Sequence, residues 1–115
     1  MQEKYTFEQY QDDAIDTLMY PDSGKILGLS YVVLGLMGEA GEVSEKVKKI
    51  IRDKQGEISD DDRQEILKES GDVLWYLAAL CHELGVTLPE MAAMNIEKLR
   101  SRKKRGKLGG SGDNR

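Results

Sequence analysis

The chain has 115 residues, of which 39% are hydrophobic and 33% charged, and it contains a single cysteine. This length fits one domain with a small core, and a lone cysteine cannot form an internal disulfide. The longest apolar run, Val73 to Cys81, spans nine residues, well short of the roughly 18 that a membrane span needs. The first residues carry no apolar stretch behind a basic cap, so we expect a cytoplasmic protein with no signal peptide and no membrane span.

The net charge of −4 conceals an uneven distribution. Residues 1–97 carry 9 basic and 20 acidic side chains, whereas residues 98–115 carry 8 basic and 1 acidic. A general nucleic-acid-binding protein usually spreads basic charge over a whole face, so we do not expect nucleic acid as the partner. The distribution instead suits a protein that holds cations in one place and phosphates nearby.

The first two helices are predicted from a capping box and from a basic end. Thr6 with Gln9 begins a helix over residues 7–19, which a Tyr-Pro-Asp-Ser-Gly turn ends. A second helix, over residues 27–54, closes on basic side chains that suit a helix C-terminus. Residues 29–36 are the one segment that resembles a strand, but they continue without a turn signal into the helical pattern.

Two further helices and a tail complete the chain. Ser59 and three aspartates open a third helix that reaches residue 84 and stops at Gly85. Thr87 with Glu90 caps a fourth helix that runs to about residue 104. We therefore predict one all-α domain over residues 1–105, a four-helix bundle built on a helical hairpin. Residues 106–115 are predicted to be a flexible, basic, glycine-rich tail.

The third helix contains an apolar run, Val73 to Cys81, that has no polar face. Three other helices in so short a chain can hardly bury it, so we expect a partner subunit to complete the bundle, a two-fold dimer being the simplest case. A well-wrapped monomer is the alternative. Cys81 and His82 are expected to face the core or the partner rather than to form a nucleophilic pair.

Two pairs of carboxylates fall at matching positions of the second and third helices. Glu39 and Glu42 are three residues apart, as are Glu69 and Asp72, so each pair shares one helix face. In an antiparallel hairpin, residues at one level have position numbers with a constant sum. The position numbers of Glu39 and Asp72 add up to 111, and so do those of Glu42 and Glu69. The centre of such a hairpin falls at residues 55–56, where the turn is predicted.

Four carboxylates that face one another across packed helices cannot all stay ionised without counter-charge. An all-oxygen ligand set favours Mg²⁺ or Mn²⁺ over Zn²⁺, which prefers histidine and cysteine. A di-iron site is excluded because it needs Glu-x-x-His pairs, and the single histidine, His82, follows Ala79 at that spacing. The four acids are therefore predicted to bind a divalent cation.

A solvated acidic stripe is the alternative, with Lys46 and Lys49 following Glu42 on the same face. Glycine within a helix costs about 1 kcal/mol relative to alanine, and close approach of another helix or of a ligand would explain such residues. The second helix carries three within one and a half turns: Gly35, Gly38 and Gly41. These glycines favour the metal site over the solvated stripe.

The residues around the four acids resemble a known family. Residues 35–43 (GLMGEAGEV) and 69–77 (ESGDVLWYL), with the Asn-x-x-Lys-Leu element that begins at Asn95, are similar to the MazG nucleotide pyrophosphohydrolase family. The end of the chain, GSGDNR, is similar to the ends of short, often phage-encoded MazG-like proteins. The resemblance covers roughly residues 27–115, and the first helix matches only in character.

The resemblance implies an all-α, Mg²⁺-dependent enzyme that cleaves a nucleoside triphosphate between its α- and β-phosphates, giving the monophosphate and pyrophosphate. It assigns the metal and the catalysis to Glu39, Glu42, Glu69 and Asp72, and it implies a homodimer or homotetramer. One of the four acids can serve instead as general base, for which Glu42 and Glu69 are the more flexible candidates.

A polyphosphate substrate also needs cations from the protein. Lys98 and Arg102 lie four residues apart on one face of the fourth helix, with Asn95 one turn earlier, and we predict that they bind phosphate. A solvated basic helix end is the alternative. Tyr76, four residues after Asp72, is a candidate to stack on the nucleobase, although core packing is the stronger interpretation.

Two other functions stay open at this point. A non-catalytic helical dimer would present residues 98–107 to nucleic acid or to a regulator, with a steep salt dependence of binding. A hydrolase with the same metal site would cleave another pyrophosphate, such as an alarmone or a nucleotide sugar. The preferred base and sugar are not indicated by any motif.

Overall fold

The computed structural model describes residues 4–115 and contains four helices. These are α1 (Phe7–Ile15), α2 (Ile26–Lys54), α3 (Asp60–Glu83) and α4 (Leu88–Lys104). No strand occurs within residues 4–115, so the all-α prediction is confirmed. Three of the four helices begin and end within one residue of the predicted bounds.

The exception is α1, which ends at Ile15 rather than at residue 19, so its predicted length was wrong. Beyond the helix the backbone tightens into a turn in which the Thr17 N–H donates to the Ala14 carbonyl at 2.9 Å. The Thr17 hydroxyl donates to the same carbonyl and accepts from the indole N–H of Trp75 on α3, each at 2.7 Å. Contact with another helix therefore fixes the turn, and the local sequence carries no sign of it.

The N-terminal caps form where the sequence predicted them. Thr6 opens α1 with a reciprocal capping box. The Ser59 hydroxyl accepts from the Asp62 N–H, and the Asp62 carboxylate accepts from the Ser59 N–H, both at 3.1 Å. At α4 the Thr87 hydroxyl accepts from the Glu90 N–H at 3.1 Å, which is half of the predicted box. Each cap satisfies backbone donors that a helix start leaves unpaired.

Helices α2 and α3 form an antiparallel hairpin whose turn lies where the numbering placed it. Gln55 and Gly56 both adopt the left-handed conformation, with φ of 55° and 81°. The Gly56 N–H donates to the Ile50 carbonyl at 3.2 Å, as in a Schellman-type helix end. An ion pair between Lys54 and Asp62, 2.7 Å long, joins the two helices beside the turn.

Helices α1 and α4 pack on the second half of α3. The buried core they share consists of Ala14, Ala78, Cys81 and Leu88. Gln11 of α1, also buried, donates from its amide to the Val86 carbonyl at 3.3 Å and accepts from the Leu88 N–H. Since leaving these backbone groups unpaired would cost about 1–3 kcal/mol each, Gln11 holds the α3–α4 turn against α1.

The apolar run of α3 is only partly buried within the chain, because Ala78, Ala79 and Cys81 are buried and the other six residues are half-buried. The expected partner subunit therefore stays a prediction. None of residues 73–81 is exposed, and Cys81 is buried with its sulfur 3.7 Å from the Met91 sulfur. His82, which follows, is exposed. Large apolar side chains are exposed on α2 instead, which within residues 4–115 packs against no helix but α3. The most exposed are Ile26, Leu27, Leu34, Met37 and Ile51.

By length and composition, α2 is also the one helix of the described chain that could cross a membrane. Two acids, Glu39 and Glu42, interrupt its apolar sequence. This match of length and composition does not overturn the expectation that no segment spans a membrane. The criterion is weak, because core helices of soluble proteins also meet it, and here both acids lie beside the acids of α3.

The last ten residues fold back onto α4. Asp113 pairs with Lys98 and with Arg102, both at 3.1 Å, and Arg115 donates to the Gly112 carbonyl at 2.6 Å. These bonds place the predicted tail against the basic face of the helix, and its flexibility stays a prediction.

Candidate metal centre

The four predicted acids meet near the middle of the α2–α3 hairpin. One carboxylate oxygen from each of Glu39, Glu69 and Asp72 lies within 4.8 Å of the other two. Glu42, one turn after Glu39, lies beside Glu69. Glu39 and Glu69 are half-buried, whereas Glu42 and Asp72 are exposed. The hairpin register thus brings both pairs of acids together.

In the part of the chain that the structure describes, this cluster has no paired cation. None of the four acids forms an ion pair within residues 4–115. Lys46, which a solvated stripe would place with Glu42, pairs instead with Glu65 at 3.6 Å. A hydrogen bond that protonated Glu69 donates to Glu42, followed by burial and by the charges of Glu42 and Asp72, raises the pKa of Glu69. The acids therefore repel one another as they stand.

One oxygen of the cluster is buried and has no hydrogen-bond partner: Oε2 of Glu39. A buried acceptor without a partner is costly, and more so when it carries charge. A divalent cation between the helices would satisfy this oxygen and offset the repulsion. Because every donor is a carboxylate oxygen, the residues present fit Mg²⁺ or Mn²⁺ rather than Zn²⁺.

Two tyrosines lie next to the acids on the side of the N-terminal half of α2. Burial, followed by the nearby Tyr31 and Glu39, raises the pKa of Tyr76. The ring of Tyr76 fills the space beside Gly35, where a Cβ has no room. Tyr31 stacks on Tyr20 with ring centroids 5.7 Å apart. Sequence reasoning missed Tyr31, although its place one turn before Gly35 puts it on the same helix face.

Close approach within the chain explains only one of the three glycines of α2. Gly35 meets Tyr76, but a Cβ added at Gly38 or Gly41 would meet nothing within 4 Å. Close approach of another helix of this chain is thus found for Gly35 alone, and approach of a ligand to Gly38 and Gly41 stays a prediction. Gly38 and Gly41 are exposed on the same helix as the large apolar side chains of α2.

The predicted phosphate-binding residues of α4 are not joined to the four acids by any hydrogen bond or ion pair within the described part of the chain. Asn95 is exposed, whereas Lys98 and Arg102 both bind Asp113. Helix α4 packs against α1 and α3 but not against α2. The role of these three residues stays a prediction.

The fold and the site together define an all-α protein with a carboxylate-rich centre suited to a divalent metal. The chain belongs to the MazG nucleotide pyrophosphohydrolase family, because the model of the MazG nucleotide pyrophosphohydrolase domain matches residues 29–106. This match includes α3, α4 and most of α2, and the family generally depends on divalent metals.

A protein from a phage is similar to this chain over nearly its whole length. The Gene 37 protein of Mycobacterium phage L5 is 52% identical over 109 residues, which cover 92% of this chain and 96% of the relative. No solved structure matches the chain.

Proposed function

We propose that this protein hydrolyses a nucleoside triphosphate between the α- and β-phosphates, releasing the nucleoside monophosphate and pyrophosphate, with Mg²⁺ as cofactor. The observation that carries the proposal is the buried, unpartnered Oε2 of Glu39 among converging carboxylates. Membership of the family supports the reaction class. The cytoplasm, where nucleotides and Mg²⁺ are abundant, is the proposed compartment.

The four acids would hold the metal, with Glu39, Glu69 and Asp72 as the closest set. A bound divalent ion neutralises phosphate charge and lowers the pKa of water. The oxygen of the attacking water forms a bond to the α-phosphorus, and the bond from that phosphorus to the oxygen bridging to the β-phosphate breaks. Glu42, exposed and outside the closest three, is our candidate to accept the proton of the water.

The nucleoside is proposed to lie on the tyrosine side of the acids, against Tyr76 and Tyr31. Tyr76 also packs on Gly35, so its ring has a structural role as well. Asn95, Lys98 and Arg102 are proposed to bind the phosphates, with Arg102 able to offer two adjacent N–H groups.

We further propose that the protein is a homodimer or homotetramer packed through α2. The supporting observation is the row of exposed apolar side chains on this helix, among them Leu34 at 73% and Met37 at 64% exposure. Burying such side chains against a second copy removes apolar surface from water. The cations of α4 are expected to reach the phosphates in this assembly.

The test is the identity of the products. The protein is incubated with Mg²⁺ and a panel of canonical ribo- and deoxyribonucleoside triphosphates, and the products are separated by ion-exchange chromatography. Monophosphate with pyrophosphate, lost with a chelator and reduced at least about 100-fold in Glu42→Gln, is the expected result. Glu45→Gln, which changes an exposed acid of the same helix outside the cluster, should retain activity.

The other outcomes separate the alternatives. Diphosphate with orthophosphate would still indicate a metal-dependent hydrolase, but one that cleaves between the β- and γ-phosphates. No turnover by a folded protein that binds metal would favour another pyrophosphate, such as an alarmone, or a non-catalytic binding role.

A further inference from the structure

The tail, residues 106–115, places a carboxylate on the two cations of α4. Oδ1 of Asp113 accepts from Nζ of Lys98 and from Nη2 of Arg102, both at 3.1 Å. The same Nη2 donates to the Asp113 carbonyl at 2.7 Å. Both positive side chains proposed to bind phosphate therefore share one acidic residue of their own chain.

The side chain of Arg115 holds the tail in a closed loop. The Arg115 guanidinium donates to the carbonyls of Gly112 at 2.6 Å, Leu108 at 3.1 Å and Lys107 at 3.2 Å. Arg105 donates in turn to the Arg115 carbonyl at 2.9 Å. These bonds close the tail into a loop that presents Asp113, so its contact with α4 does not depend on a single side-chain pair.

Asp113 does not satisfy all the hydrogen-bond donors of Arg102. Arg102 is only 4% exposed, yet its Nε is buried and has no hydrogen-bond partner. A guanidinium binds an oxyanion best through two adjacent N–H groups, and Asp113 engages only Nη2. The Asp113 side chain is itself 81% exposed, so its ion pairs are weak. A phosphate carries more charge and more acceptor oxygens than this carboxylate.

We propose that the tail is an autoinhibitory latch, in which Asp113 occupies Lys98 and Arg102 until a phosphate group displaces it. The inference rests on the proposed function in taking a nucleotide polyphosphate as the natural competitor. Displacement would free both cations and release residues 106–115 from α4. Removing the Asp113 charge should then strengthen the binding of phosphate rather than weaken it.

The test is a calorimetric titration of the full-length protein with inorganic pyrophosphate in the presence of a chelator. Because an exposed ion pair is worth at most about 1 kcal/mol, Asp113→Asn should lower the dissociation constant roughly fivefold. Asp61→Asn makes the same change of charge at an exposed acid at the start of α3 and should leave the constant close to that of the wild type. Lys98→Gln should weaken binding in both the wild-type and the Asp113→Asn backgrounds.

The amide resonances of Gly110 and Gly112 give a second readout. They should shift towards unstructured values when the wild-type protein is saturated with pyrophosphate, and they should do so at a lower pyrophosphate concentration in Asp113→Asn. Unchanged or weaker binding by Asp113→Asn, a tail that stays in place at saturation, or no binding by either protein would overturn the latch. Product analysis with Glu42→Gln does not depend on these results, so the proposed function can fail or stand separately.

Discussion

The ring of Tyr76 lies where a side chain on Gly35 would be built, so α2 meets α3 there through bare backbone. Gly35→Ala should destabilise the protein by about 1–3 kcal/mol, because the ring must move or the helices must separate. Gly38→Ala is the matched control. Its added methyl group meets nothing within 4 Å, and alanine favours a helix by up to about 1 kcal/mol. Urea unfolding measures both, and equal stabilities for the two variants would contradict the packing described.

The raised pKa of Glu69 predicts how the metal-free protein responds to pH. A carboxyl group whose pKa is raised in the folded state contributes stability below its ordinary value of 4.5, and this contribution is lost as the pH rises through the raised value. Glu69→Gln should therefore melt at a higher temperature than the wild type at pH 7 in a chelator, with the difference vanishing near pH 4.

Glu65, one turn earlier on α3, is the control, because its pKa is shifted in the opposite direction. Lys68 and then Lys46 lower its pKa, so its contribution is present above pH 4.5 and is lost as the pH falls. Glu65→Gln should accordingly melt below the wild type at pH 7. Thermal unfolding between pH 4 and pH 8 compares all three proteins, and shifts of the same sign in both variants would contradict the electrostatic account.

Binding of Mg²⁺ should stabilise the folded protein through the acid cluster. At a metal concentration of about 100 times the dissociation constant, the gain is about 2.7 kcal/mol. Asp72→Asn removes one of the three converging carboxylates and should lose most of this gain, whereas Glu45→Gln should keep it. Melting curves with and without Mg²⁺ measure the effect. A full gain in Asp72→Asn would place the metal elsewhere.

The exposed apolar face of α2 predicts an oligomer that a single charge can disrupt. Leu34→Glu places a charge on that face and should shift the protein to a monomer, because an unpaired charge in an apolar interface is costly. Met19→Glu, at a side chain that is 93% exposed in the α1–α2 loop, should leave the assembly unchanged. Light scattering after size-exclusion chromatography gives the mass. A wild-type monomer would refute the oligomer itself.

Much of the fold could be predicted because its determinants are local. The caps at Thr6, Ser59 and Thr87 follow from short patterns, and the turn at residues 55–56 follows from the numbering of the acids. The end of α1 could not be predicted, since it depends on Trp75, a residue distant in the sequence.

The candidate metal centre likewise has features that the sequence predicts and features that depend on tertiary packing. The level shared by the two acid pairs is a property of helix periodicity, so the sequence predicts that they meet. The burial of Glu39 Oε2 depends on how the surrounding side chains pack, and the bonds of Asp113 depend on how the tail turns back. Neither has a periodic signature in the sequence.

The shared level of the acids also determines where the chain can tolerate a change of length. Residues added between Lys54 and Ser59 lengthen a connection without rotating either helix, so the acids would keep their alignment. One residue inserted between Glu42 and Lys54 would instead turn one acid pair by about 100° relative to the other. Insertions and deletions compatible with the metal centre are therefore confined to this connection and to the segments outside the span from Glu39 to Asp72.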